Sequence, residues 1–192
     1  MSTTLEPGAT RPSGRSQVPI ALLAATERLC TVSQPSSFTV ADIVREANVT
    51  TSLLYFYFAS KDEIILATLR SIASDLDELA AEVSSPNEMA TAVSSSLMDR
   101  PAFARILAWL TLEGRAVTKE MGDHPFLARL MTTLATDEST DPHTQAGSVV
   151  AVLLANAFFS GGISEALGRQ RDDERIPGAL DELISTVLTP QA

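Results

Sequence analysis

The side chains best able to do covalent or metal chemistry in this chain are one thiol, Cys30, and two imidazoles, His124 and His143. A lone Cys cannot close an intramolecular disulfide, and one Cys with two distant His cannot supply a four-ligand zinc site unaided. His124 and His143 stand beside Pro125 and Pro142 in expected loops, which suits surface histidines better than a general base. No G-x-S-x-G, Walker A or G-x-G-x-x-G run occurs, and Gly161-Gly162 follows no strand pattern. The expectation is a protein that is not an enzyme and holds no metal or cofactor.

A denser set of polar groups lies between Thr39 and Lys61. Thr39 and Ser60 are each followed three residues on by a carboxylate, Asp42 and Glu63, as in capping boxes, and Phe38 can staple to Ile43. Thr50 is a third cap. Asn48, which tolerates a left-handed backbone, stands where the helix opened by Thr39 is due to end. Thr50 then opens a segment from Thr51 to Phe58, with Leu54, Tyr55 and Phe58 available for packing. Short helix, tight turn and short helix is the helix-turn-helix arrangement. By itself each cap is no more than any helical protein needs.

The elements around this unit are also helical. Val18, Leu22, Ala25, Leu29 and Val32 recur four and three apart and predict a helix over 18–32, broken by the run from Ser33 to Ser37. Ile65, Leu69, Ile72, Leu76, Leu79 and Val83 predict a long helix over 61–84. Pro86, Pro101 and Pro125 read as first-turn prolines, and further helices are expected over 86–98, 101–117, 125–136, 144–168 and 177–188. Charged loops fill 136–143 and 168–176, and no alternating strand pattern occurs anywhere. The stretch from Thr144 to Ser164 carries no charge, but its dense apolar part, Val149 to Phe159, falls short of the roughly 20 residues a membrane span requires. A helix buried on nearly all sides is the expectation, with no membrane association. Residues 1–17 have no apolar run of a secretory signal and read as a flexible arm. A cytoplasmic location is the expectation, in keeping with the single thiol.

Charge is distributed unevenly. Six basic and six acidic residues lie up to Arg70, and eight basic and 18 acidic after it, so all of the net −10 belongs to the later part. A negative chain repels polyanions on average, yet this division leaves a neutral amino-terminal head.

The run from Phe38 to Glu63 resembles the DNA-binding head of the tetracycline-repressor (TetR) family. Thr39, Val40, Ile43, Ala47, Val49, Leu54, Tyr55, Tyr57, Phe58, Ser60 and Lys61 stand at positions of that family's pattern. The likeness covers about residues 18–70 in detail, and beyond them only the helical layout and the buried penultimate helix are similar. Asn48 replaces the family's usual turn Gly, and Leu53 a small or hydroxyl residue. The resemblance implies an all-α chain: a flexible arm (1–17), a helix-turn-helix head (18–64) and a helical ligand-binding and dimerisation body (65–192).

The resemblance further implies a regulator that binds an operator in double-stranded DNA. Thr39 could hydrogen-bond a phosphate, Thr51 and Ser52 would project into the major groove, and Lys61 could neutralise a phosphate. Tyr55 and Tyr57 match the family's phosphate-contacting positions, although core packing suits Tyr55 as well. Thr51 and Ser52 supply no Arg, Lys or Gln for a bidentate base contact, so readout is weak, methyl-mediated, or assisted by Arg11 and Arg15 in the minor groove. Those two arginines are otherwise solvated charges. In the body, Phe103, Trp109, Glu113, Phe126, Met131, Asn156 and Phe158 are candidates to line a pocket for a small hydrophobic or amphipathic effector, against the alternative of plain core. A homodimer through 144–168 and 177–188 is expected, with release from DNA on effector binding. The competing reading is a dimeric helical ligand- or partner-binding protein whose DNA readout has degenerated.

Overall fold

The first helix shows how the core is laid down. The computed structural model describes residues 16–83, 85–121, 128, 132, 141, 144, 147–155, 157 and 186. In it, α1 spans Gln17–Val32. Its buried positions follow the i, i+4 ridge Val18, Leu22, Thr26 and Cys30, with Ala25 beside it. Thr26 lies on this ridge because its hydroxyl donates to the Leu22 carbonyl at 2.8 Å, leaving only its methyl to pack. Val32, expected on the stripe, is instead 74% exposed; the ridge has already ended at Cys30.

The described residues are helical and contain no strand. After α1 come α2 (Val40–Glu46), α3 (Thr51–Tyr57), α4 (Lys61–Ala81), α5 (Pro86–Asp99), α6 (Pro101–Leu112) and α7 (Val117–Met121). α4 is the central element: it packs on α1, α5, α6 and α7. That is why its buried set is broader than a single stripe, with Ile64, Leu66, Thr68, Ala73 and Ala80 joining Ile65, Leu69, Ile72 and Leu76. One apolar core runs without interruption from Leu22 and Ile43 through Leu69 and Met89 to Ile106 and Leu110. Residues 147–155 are helical, and Val149 and Leu153, four apart, are buried in that same core. Among the described residues no helix is long and apolar enough to cross a membrane.

Helix ends follow local chemistry. Ser85 accepts from the Glu88 amide and Pro86 occupies the first turn of α5. α4 stops at Ala81 rather than 84, because Ser85 must be extended before the proline. The helix expected over 101–117 is two. α6 ends at Leu112 in a Schellman turn: the Gly114 amide donates to Thr111 O at 3.1 Å and the Arg115 amide to Leu110 O at 3.0 Å, with Gly114 at φ 67°. Only glycine takes that conformation without a Cβ penalty, and its capping hydrogen bonds outcompete continuation of the helix. Apart from residues 128, 132 and 186, the expected helices over 125–136 and 177–188, and most of 144–168, lie outside the described residues.

Ion pairs join what the apolar core does not. Arg100, between α5 and α6, makes a two-pronged contact with Glu27 of α1 at 2.8 and 3.0 Å and also binds Asp75 of α4. Donating to the Glu27 carboxylate holds the guanidinium still more firmly in its charged form. Both Arg100 and Glu27 side chains are about three-quarters covered, at 23% and 25% exposure. A second link runs from Arg115, in the α6–α7 turn, to Asp62 at 3.3 Å and Glu120 at 2.9 Å, with its guanidinium over the Trp109 ring.

These geometries separate a structural pair from an ornamental one. Arg100→Met keeps the aliphatic stem but leaves Glu27 without its partner, and is expected to lower the unfolding free energy by roughly 1.5–3 kcal/mol. Arg28→Met removes the Arg28–Glu46 pair, whose side chains are 56% and 41% exposed, and is expected to cost under about 1 kcal/mol. Urea unfolding of the two variants measures both, and equal losses would contradict the assignment.

Candidate nucleic-acid interface

Two seven-residue helices and the turn between them build the site. α2 is opened by a complete capping box: Thr39 Oγ1 accepts from the Asp42 amide at 3.3 Å, and Asp42 Oδ2 accepts from the Thr39 amide at 2.8 Å. The Thr39 hydroxyl also donates to Asp42 Oδ2 at 2.7 Å, and Arg45 donates to Asp42 Oδ1 at 2.9 Å. These hydrogen bonds, those from Thr39 foremost, hold the Asp42 carboxyl below its ordinary value. Phe38 and Ile43, the expected staple, are both buried in the core.

The turn closes as a second Schellman motif with asparagine in the left-handed position. Asn48 has φ 53°, its amide donates to Arg45 O at 3.2 Å, and the Val49 amide donates to Val44 O at 3.0 Å. Val44 and Val49, the hydrophobic pair that accompanies this motif, are buried. Thr50 follows at once as the α3 cap, accepting from the Leu53 amide at 3.4 Å. The chain thus reverses between α2 and α3 with no slack.

α3 is pinned by Leu54, which is fully buried, with Leu53 and Tyr57 half-buried beside it. Its opposite face is Thr51, Ser52, Tyr55 and Phe56, all exposed. Of the sequence candidates, Thr51, Ser52 and Tyr55 therefore share one outward surface, while Tyr57 lies on its flank. Phe56 was missed by the sequence reading and is 71% exposed. Its place four residues after Ser52 could have found it. Its ring meets Tyr57 edge-on, with centroids 4.9 Å apart at 87°.

Lys61 is half-buried and already engaged. Its ammonium donates to Pro35 O and Phe38 O, both at 2.9 Å, and sits 5.3 Å from the Phe38 ring centroid. It ties the start of α4 to the loop before α2, and one of its three hydrogens remains for another acceptor. Ser60 caps α4 through the Glu63 amide at 3.1 Å, and the Glu63 carboxylate returns to the Ala59 amide, one residue earlier than a standard box. Arg45 of α2, with a side chain 75% exposed and paired to Asp42, is a cation of the head that sequence reasoning passed over.

The effector candidates are less gathered. Phe103 is core, Trp109 is half-buried under Arg115, and Glu113 is exposed in the turn that ends α6. Phe126, Met131, Asn156 and Phe158 lie outside the described residues, as do Arg11, Arg15, His124 and His143. Burial pushes the Cys30 thiol up to about 12, so it is a packed apolar group and not a nucleophile. Among the described residues no cluster of His, Cys, Asp and Glu could hold a metal ion.

The turn yields a direct test. Asn48→Val places a β-branched residue at positive φ and is expected to destabilise the fold by about 1–2 kcal/mol, whereas Asn48→Gly should be neutral or mildly stabilising. Thermal or urea unfolding of both variants checks this, and a well-tolerated valine would show that the left-handed turn is not needed.

Comparison with known proteins agrees with this geometry. Residues 22–68 match the model of the family described as bacterial regulatory proteins, tetR family. The chain is 37% identical over 89 residues to the HTH-type transcriptional regulator BetI of Brucella canis, a match covering 42% of this chain and 45% of that protein. The matched stretch therefore spans less than half the length of such relatives. In fold, a transcriptional regulator from Rhodococcus sp. Rha1 superposes with a TM-score of 0.69 at 23% identity, covering 88% of this chain and 95% of the other. The Bacillus subtilis transcriptional regulator FadR, in complex with stearoyl-CoA, does so with a TM-score of 0.64 at 14% identity, covering 90% and 99%.

Proposed function

We propose, on the premise that residues 22–68 match the tetR family of bacterial regulatory proteins, that the chain is a homodimeric repressor that binds a pseudo-palindromic operator and is released by a small hydrophobic or amphipathic effector. The observation that carries this reading is the outward face of α3, held rigidly by the Asn48 turn and presenting Thr51, Ser52, Tyr55 and Phe56 free of the core. Thr39, Thr50, Tyr57, Lys61 and Arg45 are the proposed phosphate contacts, which position the head without specifying sequence; Thr39 and Arg45 donate to Asp42 in this structure and must exchange that partner for a phosphate.

A single seven-residue helix touches few base pairs, so a second copy one helical turn away, about 34 Å, supplies the rest. The proposed division is the arm 1–17, the head 18–64 and the body 65–192, with dimerisation through 144–168 and 177–188. In favour of that interface, Gly147, Ala151 and Ala155 are exposed at four-residue spacing while Val149 and Leu153 turn inward. Such small side chains allow close approach of two helices. Glu27, Asp75 and Arg100, and the Arg115–Asp62 pair beside Lys61, give the body a rigid mechanical link to the head. An effector that favours a different body arrangement would then shift the spacing of the two heads by population shift. The Bacillus subtilis neighbour was solved with stearoyl-CoA, an amphipathic molecule; an amphipathic effector is the corresponding proposal here.

One observation favours the competing reading, a ligand- or partner-binding protein with degenerate DNA readout: α3 exposes no Arg, Lys, Asn or Gln. Selection of the purified chain on randomised duplex DNA at about 0.15 M salt separates the two. An enriched inverted repeat is expected; loose binding at low salt alone, with no enriched motif, would favour the competitor.

On the selected duplex, Lys61→Ala is expected to weaken binding similarly on every sequence and to lower the salt slope by about one. Because Lys61 also holds Pro35 O and Phe38 O, the variant's folding must be verified in parallel. An unchanged slope in a folded variant would remove Lys61 from the phosphate contacts.

A further inference from the structure

The outward face of α3 determines what kind of base edge it can recognise, given that the head binds DNA as proposed above. In the major groove, guanine and adenine are discriminated by bidentate pairing with Arg, Lys, Asn or Gln, and cytosine by a carboxylate accepting from its amino group. None of these side chains is among Thr51, Ser52, Tyr55 and Phe56. The hydroxyls of Thr51 and Ser52 both donate and accept, so they suit either base of a pair and discriminate little.

What the face does offer is apolar. Phe56 is 71% exposed and Tyr55 53% exposed, two of the few large apolar side chains left outside the core among the described residues, and Thr51 adds a methyl group. An aromatic ring left in water on a surface otherwise pinned by Leu54 gains most from an apolar partner. The major groove contains one such partner, the C5-methyl group of thymine. The edge-on contact with Tyr57 at 4.9 Å orients the Phe56 ring in advance, so less side-chain freedom remains to be lost on binding.

We propose that this protein reads its half-site chiefly through thymine C5-methyl groups, with Phe56 as the principal reader and Tyr55 and Thr51 beside it. The half-site then contains thymine beneath the carboxyl-terminal half of α3. A 5-methylcytosine at that place presents the same methyl and substitutes for thymine in this contact.

The test uses the full chain and the duplex recovered by selection. Each thymine is replaced in turn by deoxyuridine, which removes the methyl and leaves the hydrogen-bonding edge intact, and Kd is measured by fluorescence anisotropy at fixed salt. At one thymine or more in each half-site, affinity is expected to fall about three- to ten-fold, in line with burial of one or two methyl-sized contacts. The same replacement in Phe56→Ala should change affinity less than about two-fold, since the two partners of one contact are not additive. Phe56→Leu, which keeps an apolar side chain, should retain part of the methyl dependence. At the same position, 5-methylcytosine should bind better than cytosine.

Because Phe56 is exposed, both variants are expected to unfold at the wild-type urea midpoint, and the deoxyuridine scan on the unaltered protein stands independently of either. An enriched motif whose affinity is indifferent to every deoxyuridine overturns the methyl-reading inference alone. A selection with no enriched motif overturns it together with the operator-binding reading. A deoxyuridine effect of the same size in Phe56→Ala removes Phe56 from the contact.

Discussion

A seven-residue helix has no stability of its own. Nucleation fixes several residues for the first hydrogen bond, and isolated helices of this length are not populated in water. α2 and α3 both have this length, so the geometry of the outward face of α3, the proposed DNA-contacting surface, depends on the turn that joins them. The left-handed Asn48 closes α2 through two backbone hydrogen bonds, delivers Val49 to the core against Val44, and hands the chain directly to the Thr50 cap. With the carboxyl end of one helix and the amino end of the next fixed within three residues, Leu54 alone suffices as the fully buried anchor of α3. Without that turn, the four outward side chains would have no common face.

The charge of the molecule takes on a different meaning once its partners are known. Arg28 faces Glu46, Arg45 faces Asp42, Arg100 faces Glu27 and Asp75, and Arg115 faces Asp62 and Glu120. Most arginines of the described head and its supports are thus neutralised within the protein, and Lys61 spends two donors on backbone carbonyls. These pairs are not equivalent. Exposed ones such as Arg28–Glu46 are screened and interact weakly. Arg100–Glu27, two-pronged and largely covered, joins helices whose apolar faces alone would let them slide. Cations that would otherwise confer indiscriminate attraction to polyanions act here as struts between α1, α4 and the α5–α6 junction.

Legibility in the sequence followed sequence distance. The three caps, the capping box at Thr39 and Asp42 and the left-handed Asn48 were all readable, because each is decided within about one helical turn of chain. The long stripes of α1 and α4 were readable from periodicity, with errors only at their ends. The Arg100–Glu27 contact spans 73 residues, and nothing local marks either partner. Gly114 lies inside the helix expected over 101–117, and its left-handed conformation, a helix stop that is decided locally, is what divides that helix in two. Phe56 was legible only through its place four residues after Ser52, which puts it on the same helix face; that this face is left exposed is a tertiary property.

Under the proposed apolar readout, the methyl contacts and the internally paired cations divide affinity into two parts with different salt dependence. Phosphate contacts release counterions and weaken steeply as salt rises. Contact between an aromatic ring and a thymine methyl excludes water without exchanging ions, and is insensitive to salt over the same range. In a chain carrying a net charge of −10, the first part is small from the outset, since the acidic residues after Arg70 oppose every approach except the one that presents the head. Raising salt then removes non-specific binding faster than it removes discrimination. For such a protein the ratio between correct and incorrect sites improves as overall affinity falls, and an acidic composition becomes a contributor to specificity.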